Sequence, residues 1–237
     1  TYGGAGINAS SGSLVSNCVV RHTLSADISA LSLNRSTGLA CRAEFNAGPG
    51  ITGIRSHIAD CRSVRNQGRG LYVLDDCLVQ RSVSIGNQSA QSGAGLFARS
   101  SRIENCIIAG NRSTNNGGGV YLEINTNVMI NCTVVGNHSD TMGGGVYCHR
   151  DTSNINNIVM FNTAGDAATS NRYVSLSGFH VFQNCCVAPP PAIGGNFAAD
   201  PLFADPSCHD YRLRNGSSCI DAGLTALAPQ PEDVAGV

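Results

Sequence analysis

Short apolar runs of three or four residues, each broken by Gly, Asn or Ser, set the rhythm of this chain. Gly70-Leu71-Tyr72, Gly95-Leu96-Phe97, Gly119-Val120-Tyr121 and Gly145-Val146-Tyr147 open successive units. Each leads to a second run closed by asparagine. These are Arg81-Ser82-Val83-Ser84-Ile85-Gly86-Asn87, Asn105-Cys106-Ile107-Ile108-Ala109-Gly110-Asn111, Asn131-Cys132-Thr133-Val134-Val135-Gly136-Asn137 and Asn156-Asn157-Ile158-Val159-Met160-Phe161-Asn162. Such runs read as strands, and the Gly, Asn and Ser between them as turns, because those residues tolerate dihedrals that others avoid. The motif returns after about 25 residues, the mark of a stacked repeat. Asp60-Cys61-Arg62-Ser63-Val64-Arg65-Asn66 follows at a shorter step, and Asn17-Cys18-Val19-Val20 is a fainter copy.

A coil of this length holds three short strands and three turns. One coil cannot bury its own inner face, whereas coils stacked strand on strand ~4.8 Å apart share a continuous core. The expected fold is therefore all-β: a right-handed parallel β-helix, a single-stranded solenoid with an irregular C-terminal cap. Residues 1–186 form the coils, and residues 187–237 form a capping segment packed on the last coil. Phe197, Phe203, Tyr211, Leu213 and Ile220 would cover that coil. A leucine-rich grid and Gly-Gly-x-Gly-x-Asp calcium repeats are both absent, and helical repeats would need apolar positions at 3.6 spacing. The first residues, Thr1-Tyr2-Gly3-Gly4-Ala5-Gly6, read like the middle of a repeat, so a longer parent chain is expected.

Two columns follow from the repeat. Cys61, Cys106 and Cys132 share one position with Ser82 and Asn157, which suits an inward ladder of small side chains. Asn66, Asn87, Asn111, Asn137 and Asn162 share another, where stacked amides can satisfy turn backbone from coil to coil. Asn87, Asn111, Asn131 and Asn137 also head Asn-x-Ser/Thr triplets, but the turn accounts for them better than glycosylation does. Cys208 and Cys219 lie outside the repeat and are the candidate disulfide.

Composition agrees with a slim solenoid. Gly makes up 28 of 237 residues, charged residues are 13%, aromatics 5%, and Trp is absent. All 15 basic residues are Arg. Ten of them fall in residues 1–102 against five acids, while residues 103–237 hold five against eleven. A basic first half could attract acidic glycans. No aromatic and basic interleaving points to nucleic acid, and no apolar stretch approaches the ~20 residues of a spanning helix.

The tail adds Asp200-Pro201-Leu202-Phe203, then Asp210-Tyr211-Arg212-Leu213, then Ser217-Ser218-Cys219-Ile220-Asp221-Ala222-Gly223. With the coil motifs, this resembles the bacterial right-handed β-helix repeat proteins of the pectin-lyase-like superfamily. It is most similar to large secreted members with polymorphic-outer-membrane-type repeats, whose cap runs Asp-Pro-x-Phe, Asp-Tyr-x-Leu, Ser-Pro-x-Ile-Asp-x-Gly. Ser218 stands where Pro is usual. The resemblance implies a secreted or bacterial cell-surface protein. Its members include surface structural proteins, adhesins and polysaccharide-degrading enzymes, so fold alone does not give activity.

The expected function is a non-enzymatic scaffold or adhesin-like module, with a glycan or cell-envelope protein as partner, or self-assembly, and no cofactor. The alternative is a lyase or glycoside hydrolase acting on acidic glycans, with calcium if a lyase. A hydrolase needs paired carboxylates, and a lyase needs a base. Lys is absent, which leaves Arg55, Arg62, Arg65, Arg69 or Arg81 as base. The best constellation for catalysis is His57, Asp60, Asp75, Asp76 and Arg81, brought together by adjacent coils. His149 with Asp151, and His209 with Asp210, are isolated pairs with weaker claims as metal ligands.

Overall fold

A computed structural model describes residues 6–124, 126–175 and 177–224. The chain is a parallel β-solenoid of about seven turns, with almost no helix and a short antiparallel sheet near its C-terminal end. Three eight-stranded parallel sheets form its faces. The first face starts at Ile7–Ser10, the second at Leu14–Ser16 and the third at Val19–Arg21, and each later coil adds one strand to each face.

Alternation within each strand builds the core. In Leu71–Leu74, Leu71 and Val73 are fully buried while Tyr72 and Leu74 face outward. The same inward column runs Leu31, Ile51, Leu71, Leu96, Val120, Val146. Because a strand has a period of two, in-register stacking keeps one apolar column inside throughout.

Coil length is not uniform. Leu31 pairs with Ile51 and Ile51 with Leu71, giving coils of 20 residues. From Leu71 onward the partners are Leu96, Val120, Val146 and Arg172, giving coils of 24–26. The longer coils insert a fourth, four-stranded ladder of Gln88–Ser89, Arg112–Ser113, His138–Ser139 and Thr163–Ala164. Ser89, Ser113 and Ser139 are buried there, and Ser139 Oγ donates to the Asn115 carbonyl at 2.7 Å.

The tail departs from the expected cap. Its first part closes the last coil: Phe197 bridges Cys186, and the Val187 N–H donates to the Phe197 carbonyl at 2.8 Å. Residues 198–224 turn back along the side of the solenoid. Phe203–Asp205 and Asp210–Leu213 form an antiparallel hairpin. Phe203 is buried in a cluster with Val83, Ile85, Ala109 and Val135, flanked by Tyr211 and Leu213. Those partners point outward from the third face of coils well before the last. Ile220 stays exposed. The physical reason lies in the third face. Val83, Ile107 and Ile158 stand on its outer side, where water would otherwise meet a row of apolar side chains. Burying one Phe or Ile there contributes about 1.5–3 kcal/mol.

Candidate functional site

Most corners of the solenoid follow one rule. A residue in the left-handed region turns the chain, and the next residue points inward as a ladder rung. At the corner between the second and third faces, Asp60, Arg81, Asn105 and Asn131 have φ of 54°, 45°, 52° and 52°. They precede Cys61, Ser82, Cys106 and Cys132. Each rung's side chain can accept from the backbone N–H of the neighbouring coil: Cys41 N–H donates to Cys61 Sγ at 3.4 Å, Cys61 N–H to Ser82 Oγ at 3.1 Å, and Cys132 N–H to Asn157 Oδ1 at 2.8 Å. That is why Cys, Ser and Asn interchange here: all are small and all carry an acceptor.

The asparagine column obeys the same rule with two bonds per rung. Asn66 donates from both its backbone N–H and Nδ2 to Asn87 Oδ1, at 3.0 and 2.9 Å. Asn87 does so to Asn111, Asn111 to Asn137 and Asn137 to Asn162, all at 2.9–3.0 Å. Asn46 and Asn171 extend the column at its two ends. Asn87, Asn111 and Asn137 are buried, so no glycan can reach those amides in the folded chain, while Asn131 is half-buried at a corner. A third column at the remaining corner, Ser36, Ser56, Cys77, Ser101 and Asn127, escapes a sequence reading because its residue types vary. Ser36 N–H donates to Ser56 Oγ, Ser56 N–H to Cys77 Sγ, and Ser101 N–H to Asn127 Oδ1.

The candidate catalytic residues fall on different corners. Asp60 and Arg81 stack at one corner, where Arg81 donates from Nε and Nη2 to the two carboxylate oxygens of Asp60 at 2.9 Å each. Asp75 and Asp76, with φ of 56° and 59°, turn the chain at the corner before it. Asp75 is held by Arg99 at 3.0 Å and Arg55 at 3.6 Å, and Asp76 is exposed. A second-face strand separates the two corners. At ~3.3 Å per residue, the five steps from Asp76 to Arg81 span on the order of 15 Å. Paired glycosidase carboxylates stand about 5–9.5 Å apart. His57 turns to neither corner: its Nε2 meets Gln80 Oε1 at 3.1 Å, and Gln80 Nε2 donates to Glu104 at 2.8 Å. Glu104 is buried and also takes Arg102 Nε.

The metal candidates are also separated. Asp151 accepts the Phe179 N–H at 2.8 Å, and the His149 ring lies against Tyr121. His209 Nδ1 meets the Tyr211 hydroxyl at 3.1 Å, while Asp210 is tied to Arg212, which holds its carboxyl down at about 2. Among the described residues, no three His, Cys, Asp or Glu side chains gather as a metal site.

One surface feature passed unnoticed in the sequence. Tyr72, Phe97, Tyr121, Tyr147 and Tyr173 stack on the outer side of the first face, with ring centroids 5.2, 5.4, 4.9 and 4.6 Å apart. The Arg69 guanidinium closes the N-terminal end of the stack, 4.7 Å from the Tyr72 ring centre and 4.3 Å from that of Phe97. Burial pushes the Tyr121 phenol up to about 12, with Tyr147 and Glu123 adding to the effect. From Phe97 to Tyr173 the rings are near-parallel and spend their faces on one another, while Tyr72 meets Phe97 at a tilt of 56°. The column's signal was the aromatic two places after Gly70, Gly95, Gly119 and Gly145. Beside Tyr72 lies a groove of about 430 Å³ whose lining includes Asp27, Ser29, Thr52, Gln67, Arg69 and Gln91.

No protein-family model matches the chain, and no curated protein matches it either.

Proposed function

We propose that the chain is a non-enzymatic scaffold, an adhesin-like β-helix module of a secreted or bacterial cell-surface protein. The observation that carries this reading is that its polar side chains are committed between coils. The asparagine column runs unbroken from Asn46 to Asn171. Asp60 and Asp75 bond arginines one coil away instead of converging on a cleft. A rod built this way resists bending and shear, because displacing one coil breaks bonds at every corner. The tail motifs Asp200-Pro201-Leu202-Phe203, Asp210-Tyr211-Arg212-Leu213 and Ile220-Asp221-Ala222-Gly223, similar to those of secreted β-helix repeat proteins, support the extracellular placement and the pectin-lyase-like kinship. The partner class is a glycan or envelope protein met along the solenoid flank, and the groove beside Tyr72 offers polar groups for such a contact.

The test is turnover against a panel of acidic polysaccharides, with and without calcium, following unsaturated products and new reducing ends. The expected result is no product above the blank, with retention of the protein on at least one immobilised glycan or envelope fraction. Turnover lost in Asp76→Asn or Arg81→Ala would replace the scaffold with a polysaccharide lyase or hydrolase.

A further inference from the structure

Cys185 and Cys186 are neighbours with opposite roles. Cys185 points inward as a corner rung, its Sγ accepting the Asn157 N–H at 3.5 Å and its own N–H donating to Asn196 Oδ1 at 3.0 Å. Cys186 follows Ile158 in the outward column of the third face. An outward residue should meet water, yet Cys186 is 1% exposed. The returning tail covers it. Two corner asparagines fix that tail: Asn156 Oδ1 accepts the Leu224 N–H at 2.8 Å, and Asn184 Nδ2 donates to the Ala222 carbonyl at 3.2 Å. The clamp sets Cys219 over Cys186 with the two thiols in hydrogen-bonding reach of each other. Both border a cavity of about 530 Å³.

We infer that Cys186 and Cys219 form a thiol–disulfide exchange site that closes into a disulfide and locks the tail onto the third face. The oxidant is a low-molecular-weight disulfide or the disulfide of an oxidoreductase. Cys219, the more exposed of the two, loses its proton to water and attacks one sulfur of that disulfide, forming a mixed disulfide and expelling one thiolate. Cys186 beneath it then loses its proton to water, and its sulfur attacks Cys219 Sγ. The second thiolate leaves, so the two cysteines lose two electrons and two protons while the oxidant becomes two thiols. The inference goes beyond the scaffold reading and does not require it.

Access assigns the order of events: Cys219 is half-buried, whereas Cys186 lies beneath the tail. The contact with Cys219 holds the Cys186 thiol down and pushes Cys219 up, so the proton is shared between two neighbouring sulfurs. The inward cysteines behave differently: burial pushes Cys61 up to about 12, and Cys148 and Cys185 up to about 11, so they stay protonated and unreactive. Cys208, the partner expected from sequence, is exposed, and its N–H bonds the Asp205 carboxylate in the turn beyond the hairpin strand.

The experiment treats the folded chain with oxidised glutathione at neutral pH, alkylates it, and maps peptides after cleavage before aspartate. Asp200, Asp205, Asp210 and Asp221 place Cys186, Cys208 and Cys219 on separate peptides. The expected product is a cross-link between the Cys186 and Cys219 peptides, unchanged in Cys208→Ser and absent in Cys186→Ser. In Cys186→Ser, the reaction stops at a glutathione adduct on the Cys219 peptide. The oxidised protein melts on the order of 5–10 °C higher, and dithiothreitol reverses the gain. A Cys208–Cys219 cross-link, or alkylation of both Cys186 and Cys219 after oxidation of folded protein, overturns the inference.

Discussion

The coils between Leu31 and Leu71 and those between Leu71 and Arg172 share a core but differ at their outer wall. In the short coils, the outward position on the first face is Ser32 and then Thr52; in the long coils it becomes Tyr72, Phe97, Tyr121, Tyr147 and Tyr173. From Phe97 to Tyr147 an inserted loop stands beside the ring. Gly93, Gly117 and Gly143, all with positive φ, lie against the rings of their own coils: a Cβ on each would stand about 3.0, 3.0 and 2.9 Å from the Cβ of Phe97, Tyr121 and Tyr147. The loop before Thr52 has no insertion, and Thr52 bonds Ser29 at 2.6 Å; Tyr72 also follows an uninserted loop and is covered by Arg69 instead. The extra 4–6 residues of a long coil pair with their neighbours as a fourth ladder and stand beside Phe97, Tyr121 and Tyr147.

The largest effect should ignore this boundary. Asn137→Ala removes the acceptor of two Asn111 donors and the donor to the Ile108 carbonyl, all buried. At about 1–3 kcal/mol for each stranded group, the loss should be on the order of 4 kcal/mol, read as a fall in the denaturation midpoint. Asn66→Ala, in the short coils, should cost about the same, and a difference beyond ~1 kcal/mol would mean that the column is not one device. The boundary itself is tested by Tyr121→Ala, expected to cost about 2–3 kcal/mol, against Thr52→Ala at under ~1 kcal/mol. Equal costs would show that the ring stack contributes nothing beyond a surface residue.

A smaller effect comes from the rungs in alkali. Folding keeps the Cys61 thiol protonated up to about 12, against an ordinary value of 9.0. Its contribution is complete below 9.0 and is lost as pH rises towards 12, because the unfolded thiol ionises first. Stability should fall over that window by up to ~1.4 kcal/mol per pH unit per rung, and Cys61→Ser should flatten the slope of a pH series of unfolding midpoints. The smallest effect is at the exposed corners: Asp60→Asn, breaking the pair with Arg81, should change stability by about 0–1 kcal/mol, less at high salt.

The coil repeat and two of its columns were legible because each is written many times. Asn-Cys-x-Val-Val-Gly-Asn is a corner, a rung, a strand, a second corner and a second rung in order, and stacking repeats it. The candidate catalytic cluster misled for the same reason. Asp60, Asp75, Asp76 and Arg81 looked convergent because adjacent coils align them, yet each is a corner residue with positive φ, set where the chain must turn. The variable rungs Ser36, Ser56, Cys77, Ser101 and Asn127 hid because a corner asks only for a small acceptor, a property shared by several residue types.

By itself the sequence determined the solenoid and its inward columns, since contacts between neighbouring coils follow from period and alternation. Tertiary structure decided what happens once only: the return of the tail over Val83 and Ile85, the clamp by Asn156 and Asn184, and the meeting of Cys219 with Cys186 in place of Cys208. A contact made once leaves no period to read; it is chosen by which apolar face is still uncovered when the coils are complete.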